Sequence, residues 1–150
     1  MKFYWDIMKI LLTNDDGYKS LGIKYLHNCL LNYGDVIQAA PSKNMSACSS
    51  SLSVHHRVLI RNPSKNYYII NGTPSDCVHI ASKGILNKLP DIVFSGINFG
   101  SNLGDDVIYS GTVAGAIETT CRVVTVLRTA TIARAAFVDV AAGVLPRLSR

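Results

Sequence analysis

Lys9-Ile10-Leu11-Leu12-Thr13-Asn14-Asp15-Asp16-Gly17 decides how this chain is read: an apolar run breaks off into two adjacent carboxylates and a glycine. Ile10, Leu11 and Leu12 fit a short strand buried on both faces, and Asn-Asp-Asp-Gly is turn chemistry at its C-terminal end. Open α/β sheets keep their sites at that end. Two carboxylates about 4 Å apart repel by roughly 4 kcal/mol at an effective dielectric of about 20, so the pair needs a reason, and a divalent cation is the simplest one. Taken alone, the stretch reads more readily as a solvated turn.

The chain downstream keeps the rhythm that this strand begins. Ser20-Leu21-Gly22-Ile23 opens a helical pattern with Leu21, Tyr25, Leu26, Cys29 and Leu30 on its apolar positions, and Gly34 is placed to end it. Val36 to Pro41 is a second strand only two residues past Gly34, which is the β-α-β spacing of a parallel sheet. The polar loop Ser42 to Ser51 leaves that strand, and six of its side chains are hydroxyls or amides that suit an oxygen-seeking ligand or simply a flexible serine-rich loop. Val54 to Ile60 and Tyr67 to Asn71 predict a hairpin turning through Arg61 to Asn66. Its neighbours His55 and His56 point to opposite faces of a strand, which argues against their sharing a metal.

Gly72-Thr73-Pro74-Ser75-Asp76 is a helix start, with Thr73 as cap, Pro74 at the first position and Asp76 three residues after the cap. The helix is expected to run to about Lys88 with Val78, Ala81, Ile85 and Leu86 inward. Asp91 to Ser95 is another continuous apolar strand, and Asn98, in the glycine-rich stretch after it, lies nearest the sheet edge. A second acidic pair, Asp105-Asp106, sits deeper in that loop. Tyr109 to Glu118 then predicts a helix capped by Ser110 or Thr112, whose small residues expose a cluster of backbone amides. Such a start binds phosphate, and the same small residues also let a helix pack closely on a sheet.

Composition narrows the function. The 150 residues suit one domain, and a hydrophobic fraction of 48% with 17% charged residues describes a folded protein. The net charge of +5 is not gathered into a basic patch interleaved with aromatics, so nucleic acid is not an expected partner. The longest apolar stretch near the end, Ala135 to Leu145, is interrupted by Asp139 and too short to span a membrane. Cys29, Cys48, Cys77 and Cys121 are scattered without zinc spacing, and no secretory signal precedes the first strand, so a cytoplasmic protein with reduced thiols is expected.

Five of these stretches together resemble the SurE family, the survival-protein-E nucleotidases, over residues 8 to about 118. They are Ile10 to Gly17; Ala40-Pro41 with Ser46 and Ser49-Ser50-Ser51; Asn71 to Val78; Ser95-Gly96-Ile97-Asn98 with Gly100 and Asn102; and Tyr109-Ser110-Gly111-Thr112-Val113. The resemblance implies a Rossmann-like, three-layer α/β/α fold with a mostly parallel sheet. It further implies a divalent-metal-dependent phosphatase that hydrolyses nucleoside 5′-monophosphates, with 3′-monophosphates and polyphosphate as further substrates. One manganese or magnesium ion is the implied cofactor, on Asp15, Asp16, Ser46 and Asn98, and the phosphate contacts fall on Asn98, Ser110, Gly111 and Thr112. Asp15 and Asp16 would carry the catalysis, in an enzyme whose family forms homo-oligomers.

The end of the chain departs from that pattern. Residues 1–120 hold all eight lysines, all ten asparagines and two arginines, whereas residues 121–150 hold five arginines and neither lysine nor asparagine. We therefore expect a SurE-like region over 1–120 and an atypical tail over 121–150, as a frameshift or truncated gene would leave. Val123 to Leu127 still suits a strand and Ala130 to Leu145 a helix. A C-terminally truncated sheet would leave an exposed edge and make an inactive nucleotide- or phosphate-binding remnant the alternative to an enzyme. A receiver-type signalling domain also sets paired aspartates after its first strand, but Ser95 and Asn98 stand where it would want an aspartate.

Overall fold

The computed structural model describes residues 7–45, 52–53, 57–98 and 123–128. Among these described residues, six strands form one sheet: β1 (Lys9–Thr13), β2 (Asp35–Pro41), β3 (Ile60–Ser64), β4 (Tyr67–Ile70), β5 (Ile92–Asn98) and β6 (Val123–Arg128), in the order β3-β4-β2-β1-β5-β6. Every neighbouring pair is parallel except β3 with β4. The apolar runs of β1, β2 and β5 explain their central places, because a strand covered on both faces needs apolar residues at successive positions. The order of the parallel strands reverses between β1 and β5, and there a doubly wound sheet opens a crevice at its C-terminal edge.

Among the described residues, two helices pack on opposite faces of the sheet. On one, α1 (Leu21–Leu30) packs Ile23, Leu26 and Leu30 on Ile10, Leu12, Val36, Ile92 and Phe94. On the other, α2 (Pro74–Ile80) continues as a single π-helical turn, Ala81–Ile85, and brings Cys77, Val78 and Ala81 against Leu11, Ile37, Ile70 and Val93. The result is the expected α/β/α layering, and alternate residues of β1 and β5 feed opposite cores as strand geometry requires.

Several local readings change. Leu21 and Tyr25, expected inward, are 77% and 49% exposed. Each lies two positions from buried Ile23, or about 200° around the helix. The rotation of α1 follows from Gly22, where any Cβ would collide with the carbonyl of Ile97, so the helix sets that bare position against β5. Gly34 does not terminate α1, which ends at the cap residue Leu31; Gly34 instead lies against the Met8 carbonyl, where a Cβ would collide. The predicted hairpin is displaced as well. Arg61 to Ser64 form strand rather than turn, Arg57 to Leu59 are not strand, and the turn shrinks to Lys65-Asn66, with Asn66 at φ 62°. All five residues of β3 are exposed, and Pro63 is tolerated because an edge strand need not donate from every position. The helix begun at Thr73 stops at Ile85 rather than Lys88. His55, His56, the second acidic pair and the predicted helices at 109–118 and 130–145 lie outside the described residues.

Candidate functional site

The turn after β1 is built before any ligand is considered. Asn14 donates through Nδ2 to the Gly17 carbonyl at 3.1 Å and to Ser20 Oγ at 2.8 Å, and Ser20 caps α1 by accepting from the Ile23 amide. One amide side chain therefore ties the end of the strand to the start of the helix. Gly17 has φ +91°, a conformation that L side chains rarely adopt, and its open side faces the Lys43 backbone. Between these fixed points stand Asp15, 3% exposed, and Asp16, half-buried.

The loop after β2 is stitched to the same turn. Tyr18 N–H donates to the Pro41 carbonyl at 2.9 Å, and Met45 N–H donates to the Asp15 carbonyl at 2.7 Å. Ser42 N–H donates to Ile70 at 2.8 Å, so the loop also follows the end of β4. A cleft of about 190 Å³ opens between the two loops, lined by Asp16, Gly17, Tyr18, Lys19, Ser42, Lys43 and Asn44. It is smaller than the roughly 300–1,000 Å³ that encloses a drug-sized ligand, and it sets a carboxylate beside two lysines, a combination suited to part of a charged substrate.

β5 brings its end to the same edge. Thr13 pairs with Ser95 across the β1–β5 ladder, and Asp16 and Asn98 each follow that pair by three residues. Among the described residues, buried Thr13 Oγ1, Asn14 Oδ1 and Ser95 Oγ have no hydrogen-bond partner, so oxygen atoms gather at the switch point. Oxygen-only donors of this kind suit a hard divalent cation, and carboxylates with Ser and Asn oxygens leave positions for water and phosphate. No group of three or more His, Cys, Asp or Glu that could hold a metal occurs among the described residues.

Of the residues expected in the site, Asp15 and Asp16 lie at the predicted strand end and Asn98 closes β5. Ser46, Ser110, Gly111 and Thr112 lie outside the described residues, although Met45, the neighbour of Ser46, is bonded to Asp15. Sequence reasoning missed Asn14 as the clamp of the turn and Gly22 as the contact with β5. The first carried a signal, an amide directly before an acidic turn; the second did not, because its partner is 75 residues away.

The family model for Survival protein SurE matches residues 10–134. The chain belongs to the SurE family. That match runs into the arginine-rich segment and takes in β6. A 5′-nucleotidase SurE of Vesicomyosocius okutanii is 58% identical over 111 residues, 74% of this chain and 45% of that protein. A 5′-nucleotidase SurE of Legionella pneumophila is 51% identical over 111 residues, 74% of this chain and 44% of the relative. The crystal structure of the SurE protein from Aquifex aeolicus superposes with a TM-score of 0.70 at 46% identity, covering 73% of this chain and 45% of that one. This SurE chain thus spans less than half the length of the curated relatives it matches. No helix among its described residues is long and apolar enough to cross a membrane.

Proposed function

We propose that the chain carries the cation- and phosphate-binding part of a 5′-nucleotidase, which hydrolyses nucleoside 5′-monophosphates to nucleoside and phosphate. The observation that carries this reading is the Asp15-Asp16 pair, held at the β1 end of the switch point with the Met45 amide bonded to the Asp15 carbonyl. Ser46 is the next residue after Met45 in the sequence. The residues for a single manganese or magnesium ion are Asp15, Asp16, Ser46 and Asn98. Bound there, the cation supplies Lewis acidity, drawing charge from a phosphoryl oxygen and lowering the pKa of water.

The chain's own residues do the rest. Asp15 and Asp16 supply the negative charge that recruits the cation and act as the catalytic carboxylates. Asn98 and the Ser110-Gly111-Thr112 amides orient the phosphate for in-line attack and stabilise the charge that develops on it. Lys19 and Lys43, exposed at the cleft, raise the local concentration of an anionic substrate. 3′-Monophosphates and polyphosphate present the same charged group and are further substrates of this reading. We place the protein in the cytoplasm, and homo-oligomers are the assembly the family suggests.

A second reading has its own support: the chain covers 45% of its relatives' length, so its loops would bind cation and phosphate while turnover needs residues outside the matched region. Calorimetric titration with Mn2+ and hydrolysis of p-nitrophenyl phosphate and a nucleoside 5′-monophosphate separate the two. Binding with hydrolysis supports the enzyme, and binding without hydrolysis supports the second reading. Asp15→Asn and Asp16→Asn are expected to abolish Mn2+ binding; retention of binding by both variants would overturn the site.

A further inference from the structure

Gln38 is the one polar side chain between Asp35 and Pro41 in the otherwise apolar β2, and it is 1% exposed. Its backbone N–H donates to the Asn66 carbonyl at 2.8 Å, but among the described residues its side-chain Nε2 has no hydrogen-bond partner. Gln38 lies opposite Tyr67 across the β2–β4 ladder, on the face that Val36 and Ala40 turn to α1. The Tyr67 hydroxyl donates to the Tyr18 carbonyl at 3.1 Å, so its proton is already committed. Burial raises the pKa of that phenol above its ordinary 10.0, and the neighbouring Gln38 amide offsets part of the rise. Nε2 nevertheless closes no hydrogen bond there, and it carries two N–H groups to satisfy.

A recess of about 290 Å³ opens beside this residue, lined by Lys24, His27 and Asn28 of α1 together with Gln38 and Tyr67. None of the five lines the cleft next to the acidic turn. His27 Nδ1 is a second buried atom of the recess without a partner. Buried polar atoms are nearly always paired, so two unmatched ones around one recess need a reason. An amide N–H seeks an acceptor, and the bare nitrogen of a neutral imidazole seeks a donor. The lining holds no carboxylate to attract a cation. Its lysine is exposed, and His27 lies in the last turn of α1, at the negative end of the helix dipole, which disfavours an anion. The volume sits at the lower limit of roughly 300 Å³ for ligand pockets, room for a single ring beside Tyr67. We infer that the recess is a second binding site, for a small neutral planar amide or lactam whose carbonyl accepts from Gln38 Nε2 and whose N–H donates to His27 Nδ1. It stands independently of the cation site proposed above.

The test titrates 2-pyridone, a minimal planar lactam, into the intact chain and follows backbone amides by two-dimensional NMR, with thermal midpoints measured alongside. Wild type is expected to bind with a Kd of about 1 mM or tighter, shifting amides of α1, β2 and β4. Gln38→Met keeps the volume and removes the unmatched donor, so it should raise the midpoint while weakening binding about tenfold. A loss of binding in a more stable variant is not a failure to fold. N-methyl-2-pyridone keeps the carbonyl but lacks the N–H, and wild type should bind it about tenfold more weakly than 2-pyridone, whereas His27→Leu should bind the two probes alike. No wild-type binding up to about 10 mM 2-pyridone would overturn the inference. So would undiminished binding by Gln38→Met, equal affinity of wild type for the two lactams, shifts centred on the acidic turn, or tighter binding of benzoate than of 2-pyridone.

Discussion

Gly17 is the position at which one methyl group tests the architecture of the site. At φ +91°, an alanine enters backbone space that costs an L residue about 1–2 kcal/mol. Its Cβ would also stand 2.9 Å from the Lys43 carbonyl carbon, 3.0 Å from that carbonyl oxygen and 3.3 Å from the Asn44 nitrogen. All three are backbone atoms, so no side chain can swing aside and the loop itself must move, at about 1–3 kcal/mol for an overpacked position. The stiffer unfolded chain returns about 0.4–1 kcal/mol. Gly17→Ala is therefore expected to lose about 1–4.5 kcal/mol by these terms, a fall in thermal midpoint of order 10 °C for a chain of this size. Gly84 supplies the control, because it lies in the π-helical turn with nothing within 4 Å of an added Cβ. Gly84→Ala should be neutral or gain up to about 1 kcal/mol from helix propensity. Circular dichroism melts of the two variants decide the matter: equal midpoints would refute the claim that the β1 and β2 loops meet at Gly17. Mn2+ titration adds a second criterion, since moving Lys43 pulls on Met45 and its bond to Asp15.

Other perturbations follow from the same structure. Phe94 is fully buried between β1 and α1, and Phe94→Ala is expected to cost about 3–5 kcal/mol in urea denaturation. Burial pushes the Asp76 carboxyl up, but the bonds from Ser53 and Thr73 together outweigh it and hold the group below its ordinary value of 3.8. Its contribution to stability is then complete above that ordinary value and is lost as pH falls through the lowered one, so wild type should lose stability below about pH 4 with a component that Asp76→Asn lacks. Burial, with a smaller push from the Asp76 charge, drives the Cys77 thiol well above the ordinary range. Alkylation followed by peptide mapping should find Cys77 protected in the native chain and labelled only on unfolding, whereas rapid labelling without unfolding would count against its place in the core.

How much the sequence disclosed depended on whether a signal was local. β1, β2 and β5 were readable because strands covered on both faces must be apolar at nearly every position. The start of α2 was readable because Thr73, Pro74 and Asp76 meet the demands of the first helical turn with their own atoms. β3 was not readable: Arg61, Asn62 and Pro63 have no apolar alternation, and they are strand only because β4 lends them backbone partners. The phase of α1 was misjudged for a related reason, since apolar Leu21 and Tyr25 look inward until Gly22 meets Ile97. In the candidate site, the acidic pair announced itself, whereas the Met45 amide meets Asp15 through backbone atoms that no spacing rule registers.

This division between local and distant signals explains why the acidic pair can exist at all. Asp15 is almost wholly buried, and a carboxylate taken out of water next to a second one is costly unless the fold holds it there for a purpose. The holding is done around the carboxylates. Asn14 clamps the turn to the cap of α1, the Asp15 carbonyl accepts from Met45, and Gly17 lets the β2 loop approach. Each restraint uses a neighbouring side chain, a backbone group or a missing Cβ. On the proposed function, a cation would meet an acidic turn whose backbone is already fixed, so less of its binding energy would go into ordering the loops. Ser53 and Asp76 show the same economy at the start of α2, where one carboxylate accepts from the backbone and hydroxyl of Ser53 as well as from the cap residue Thr73.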